Sequence, residues 1–143
     1  MSGYAVERAS IETRFATMWV TGSPSVARTP ISYETAPFTA PTNAPWVRLN
    51  IRTGEAQQAS IGDPGNNWFR HAGAIIVQIF VPKAGIPSAM RRALVLADHA
   101  AAIFRGQSFD GIMCRAPYAS DGTDDDPWFM LTVTIPYTRD DPF

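Results

Sequence analysis

At 143 residues the chain is most simply one domain, long enough to bury roughly 68–70% of its extended surface without disulfides or a metal. Twelve basic residues against 13 acidic ones give a net charge of −1, which argues against a general nucleic-acid binder. The single cysteine, Cys114, rules out an internal disulfide, and no stretch reads as a secretory signal or a transmembrane helix, so the expectation is a soluble protein made in the cytoplasm.

Ser2 to Trp19 reads as a first helix with Ser2 as its N-cap. Ala5, Ile11, Phe15, Met18 and Trp19 form an apolar stripe, and Glu7, Arg8, Glu12 and Arg14 are expected on the wet side. Gly22-Ser23-Pro24 stops that helix. Residues 22–46 contain Pro24, Pro30, Pro37, Pro41 and Pro45, a density that forbids helix and predicts an extended arm with a short strand at Ile31 to Glu34.

Trp46 to Arg52 alternates cleanly, with Trp46, Arg48, Asn50 and Arg52 on one side and Val47, Leu49 and Ile51 on the other. That is the pattern of a half-buried strand. Glu55 to Ile61 is expected as a second, more polar strand, followed by a loop at 62–67. Trp68 to Val81 is β-branched and mostly apolar on both sides, which predicts an interior strand covered above and below. Three consecutive antiparallel strands result.

After a turn at Gly85 to Ser88, Ser88 to Arg105 reads as a second helix. Met90, Leu94, Ala97, Ala101 and Phe104 form its stripe, widened by Leu96, Ala100 and Ile103, and Gly106 supplies the left-handed stop. Phe109 to Pro117 is a further strand, Tyr118 to Pro127 an acidic loop, and Trp128 to Tyr137 the last strand, paired with the one before the loop. The expected fold is α+β: a mostly antiparallel sheet of about five strands, with an N-terminal helix and one central amphipathic helix packed on one face. The whole of 1–143 forms this single domain, with the proline-rich arm around 22–46.

No glycine-rich phosphate loop, nucleophile elbow, paired-cysteine motif or His-Glu-x-x-His sequence occurs, so no catalytic, cofactor-binding or metal residue is assigned and no enzyme is expected. His71 reads as a strand-end histidine meeting solvent or a carbonyl. His99 follows Asp98 on a helix, where neighbours point about 100° apart and cannot form an orienting pair. Cys114 reads as packing. Asp121, Asp124, Asp125 and Asp126 lack the spacing of an EF-hand loop and read as a solvated tip, leaving a small metal-binding domain as the less favoured alternative.

Eleven of the twelve basic residues are arginine, a side chain suited to planar, multi-donor interface contacts. Residues 1–106 hold ten basic and six acidic groups, whereas 107–143 hold two and seven. Opposite ends of neighbouring copies could therefore attract. The candidate interface residues are Arg48, Arg52, Trp46, Trp68, Asp121, Asp124, Asp125, Asp126 and Trp128, the tryptophans because strand-edge aromatics are enriched in interfaces.

Several segments carry a resemblance: IETRFATMW in the first helix, APFTAPTNAPWVRL across the arm, the turn and strand GDPGNNWFRHAGAIIVQIFVP, the alanine-rich helix, and the closing WFMLTVTIPY. Over nearly its whole length the chain resembles the phage tail terminator-like family, relatives of the minor tail protein U of lambda-like phages. The resemblance implies a virion structural protein without enzymatic activity or cofactor, of a phage, a prophage or a gene transfer agent. It implies a homo-oligomeric six-fold ring at the head-proximal end of a long tail, capping the tube at its final length. The implied partners are the chain itself, the tail tube protein and a head–tail connector or stopper protein. DNA passes through such a ring without sequence-specific contact, and no membrane is involved. Another head–tail joining protein, a stopper or adaptor, is the alternative.

Overall fold

The computed structural model describes residues 3–84, 88–120 and 122–141. The expected cap Ser2, most of the turn at 85–88, and Asp121 lie outside the described residues. The elements are α1 (Tyr4–Trp19), α2 (Pro24–Ala27), β1 (Ile31–Tyr33), β2 (Trp46–Gln58), β3 (Phe69–Pro82), α3 (Ala89–Phe104), β4 (Ser108–Phe109), β5 (Ile112–Cys114), β6 (Tyr118–Ala119), β7 (Thr123–Asp125) and β8 (Trp128–Asp141). They build an α+β fold around one sheet of order β1-β2-β3-β8-β5-β4, with β6 and β7 also paired to β8.

That sheet has eight strands and is mixed, where about five mostly antiparallel strands were expected. The parallel pair is β1 with β2, because the arm at 34–45 carries the chain back before β2 begins. The extra strands come from the segment expected to be an acidic loop and from 108–114, where the single strand expected at Phe109 to Pro117 is a short hairpin of β4 and β5. β8 is 14 residues long, and 118–125 folds along its edge as β6 and β7 to pair with it. The two strands expected at 46–52 and 55–61 are instead one 13-residue strand, β2, with a register shift between Thr53 and Ala56. A bulge at Gly54 and Glu55 lets the strand continue where a turn had been expected.

On β3, Ile75, Val77, Ile79 and Val81 are fully buried, while on the opposite side Phe80 is buried under Trp46, and Ala74, Ile76 and Gln78 are half-buried. The expectation of cover on both faces is corrected here. The helices lie on the face that Ile75 and Val77 present, and among the described residues no helix covers the other.

Ile11, Phe15 and Trp19 of α1 join Ala93, Leu96, Ala97, Ala100, Ala101, Ile103 and Phe104 of α3 in the core. Met90 and Leu94 were expected in the α3 stripe but are 45% and 42% exposed. The helix is rotated so that alanines face the sheet, which brings its axis closer than larger side chains would allow. α2 corrects the expectation that 22–46 excludes helix, since Pro24 occupies its first turn, where a missing N–H costs nothing. Cys114 of β5 is buried, and burial pushes its thiol up to about 11. It packs and stays protonated at neutral pH.

Gly73 on β3 is required by close approach. A Cβ there would stand 2.6 Å from the Tyr137 hydroxyl and 2.7 Å from the Arg52 carbonyl. Gly73→Ala is therefore expected to cost about 1–3 kcal/mol by overpacking, read as a lower denaturant midpoint. An unchanged midpoint would show that both Tyr137 and the β2 backbone at Arg52 can give way freely.

Candidate subunit interface

The uncovered sheet face is built from every second residue of three long strands. Trp46, Arg48, Asn50 and Arg52 of β2 lie opposite Phe80, Gln78, Ile76 and Ala74 of β3. Met130, Thr132, Thr134 and Pro136 of β8 continue the rows. The middle of this face is polar, and the Asn50 amide donates to the Gln78 carbonyl oxygen at 3.0 Å. A groove of about 610 Å³ lies on this face over β2 and β3, lined by Glu34, Arg48, Asn50, Arg52, Ile76 and Gln78.

One end of the face is aromatic. Trp46 stacks on Phe80 at 4.2 Å and 10°, with Phe38 at 5.1 Å and Trp128 edge-on at 6.1 Å. The Arg48 guanidinium lies over Trp46 and Phe80 at 5.2 and 5.5 Å, a cation–π arrangement that fixes its direction. Of the tryptophans singled out from sequence, Trp46 is thus 5% exposed, with its Nε1 buried and unpartnered among the described residues. Trp128 is half-buried in the same cluster. Trp68 stands apart, 51% exposed at the foot of the 59–68 loop, beyond the other end of β3.

The aspartates sit at the opposite edge of the sheet. Asp124 and Asp125 belong to β7, which pairs with Phe129 and Trp128 of β8. Lys83, the only lysine, pairs with Asp126 and lies 3.5 Å from Asp124. The hydrogen bond to Asp126 is the main cause holding the ammonium above its ordinary lysine range. Within one chain the strand order keeps β7 and β2 apart, so Arg48 and Arg52 do not meet these carboxylates. Among the described residues no carboxylate lies within ion-pair reach of Arg48 or Arg52, and no cation within reach of Asp125. No group of three His, Cys, Asp or Glu among the described residues is placed to hold a metal.

A second polar constellation was not foreseen. Glu7, expected on the wet side of α1, is 2% exposed, and so are its neighbours from the sheet: Arg139 at 2%, Asp141 at 3% and His71 at 5%. Arg139 Nε donates to Glu7 at 2.9 Å, and its Nη1 pairs with Asp141. His71 lies 3.6 Å from Asp141 and 3.4 Å from the Tyr4 hydroxyl, with the Tyr4 ring edge-on against it. The strand-end histidine therefore meets neither solvent nor a carbonyl alone. Tyr137 adjoins the cluster, and burial first, then the Glu7 carboxylate, push its phenol well above the ordinary range. The arrangement clamps α1 to β3 and β8. A signal existed in the sequence: Glu7 is one turn before Ile11, Phe15 and Trp19 on their stripe, and His71, Arg139 and Asp141 are in phase with the inward rows of their strands.

His99 is likewise structural. Its Nε2–H donates to the Met18 and Trp19 carbonyls at 3.1 and 3.0 Å, covering the open end of α1, and Asp98 plays no part. Histidines that finish hydrogen bonds, aspartates held by a lysine and an uncovered polar face describe contacts rather than chemistry. Residues 8–137 match the family described as phage tail terminator protein. The chain belongs to that family. A tail terminator family member is a phage tail protein, structural and not enzymatic.

No curated protein matches the chain. Among solved structures, one named only by a sequence identifier superposes with a TM-score of 0.68 at 16% identity, covering 97% of this chain and 96% of that one. The fold is thus shared over nearly the full length of both. A chain from the virion of a native gene transfer agent particle aligns at a TM-score of 0.49 and 11% identity, covering 87% of this chain and 91% of that one.

Proposed function

We propose that this tail protein is the terminator itself: a homo-oligomeric ring, six-fold as the resemblance implies, seated on the last ring of the tail tube. The ring stops tube growth at the finished length and presents the surface that the head-tail connector or stopper meets. DNA passes through its centre without base-specific contact. The observation that carries this reading is the family match, which spans residues 8–137 and so covers all of the fold but the first turn of α1 and the end of β8. A sheet with one helix-covered face and one face without a helix supports it, since that half-buried polar face and two differing edges give each subunit several surfaces for distinct neighbours.

The test is electron microscopy of tails assembled with and without the protein. Tubes of uncontrolled, greater length in its absence, restored to uniform length on adding it, are the expected result. Tubes of normal length without the protein, and binding to connector alone, would favour a stopper or adaptor instead.

A further inference from the structure

The strand order places two edges of unlike charge on opposite sides of one sheet. At one edge is β7, whose three residues Thr123, Asp124 and Asp125 are all exposed and whose outer side pairs with no described strand. Asp124 and Asp126 share the single ammonium of Lys83 there and Asp125 has no cation among the described residues, so negative charge is left over. At the other edge is β2. Its outer side pairs with β1 only through Val47 to Leu49, and from Arg52 to Gln58 it is exposed.

The charge at the β2 edge is positive and preorganised. Arg8 is neutralised by Glu34 at 3.0 Å, but Arg48 and Arg52 have no carboxylate within reach among the described residues. Arg48 is held in direction by its aromatic bed, and both guanidiniums line the groove over β2 and β3. Glu55, past the bulge, is the one acidic residue on the exposed stretch and offsets part of this charge.

Resting on the ring reading, we propose that a second copy of this chain occupies that groove. The β7 edge of one subunit seats in that groove over β2 and β3 of the next. Asp125, in register with Trp128 and held by no cation among the described residues, reaches Arg48 and Arg52, and Asp124 adds negative charge beside it. Because the two patches differ, the contact is heterologous and repeats head to tail, the kind of contact that closes into rings. The ion pairs stand near solvent, so they set orientation and are screened by salt rather than forming a tight dimer in dilution.

The test uses three variants of the full chain: Arg48→Glu with Arg52→Glu, Asp124→Arg with Asp125→Arg, and all four substitutions together. Each is mixed with purified tail tubes at low salt, cross-linked, and scored for species larger than dimer. Wild type is expected to give a ladder. Each two-site variant alone is expected to lose it by roughly tenfold or more, since like charges then face each other. The two two-site variants mixed together should regain it, because alternating copies restore every contact, and the four-site variant should regain it alone. Thermal melts of each variant exclude simple unfolding, all four sites being exposed or half-exposed. A wild-type ladder matched by both two-site variants would overturn the edge pairing and leave the ring standing. A ladder lost in both but not restored by mixing would also overturn it. No ladder from wild type on tubes would overturn the ring reading and this contact with it.

Discussion

Replacing Arg139 with alanine is expected to destabilise the fold by about 3–5 kcal/mol, because it leaves the Glu7 and Asp141 carboxylates buried with no guanidinium between them. Both carboxylates are nearly sealed from water, so solvent cannot replace the lost partner. For a domain of this size the melting temperature should fall by roughly 10 °C or more. Glu7→Gln keeps an acceptor for Arg139 Nε and removes one charge from a cluster holding two carboxylates, so its cost should be smaller, about 1–3 kcal/mol. Calorimetry or thermal melts of the two variants decide the point. If Arg139→Ala melted within a few degrees of wild type, the cluster would be hydrated and the clamp between α1 and β8 would be unimportant.

Trp19→Ala should cost a comparable amount, about 3–5 kcal/mol, for a different reason. The indole is 1% exposed and meets Phe15 and His99 at 5.1 Å each, while its Nε1 donates to the Thr29 carbonyl at 3.0 Å. One side chain thereby joins α1, the chain after α2, and α3. Its loss opens a cavity at their junction and frees a buried carbonyl. Trp19→Phe retains most of the packing but not the donor, and should cost about 1–3 kcal/mol. Urea unfolding of the pair separates the volume effect from the hydrogen bond. Equal midpoints for the two variants would mean that the hydrogen bond, not the packing, dominates.

The parts of the fold legible in the sequence were those governed by local periodicity. The long helices appear within a residue or two of their expected bounds, as do β1 and β3, because stripes and alternation are set by neighbours in the chain. What was not legible depends on residues far apart. β6 and β7 have no apolar signature; they are strands only because β8 offers them an edge. β2 runs through Thr53 to Ala56 because β3 and a bulge keep pace with it, whereas Gly54 by itself reads as a turn. Glu7, His71, Arg139 and Asp141 were discounted by residue type, although their phase marked them as inward. Polarity predicts exposure only for a group that finds no partner, and here each finds one from another element. The candidate contact residues show the same division. Arg48 and Arg52 were placed together by alternation, but the pairing of Lys83 with Asp124 and Asp126 joins residues 41 and 43 positions apart.

At Ile51 the outward backbone groups of β2 are already engaged. The amide donates to the Glu34 carboxylate at 2.6 Å, and the carbonyl accepts from Arg8 at 3.4 Å. An ion pair has taken the place another strand would fill. Such a plug denies stray chains a continuous backbone template, which opposes edge-to-edge aggregation at this side of the sheet.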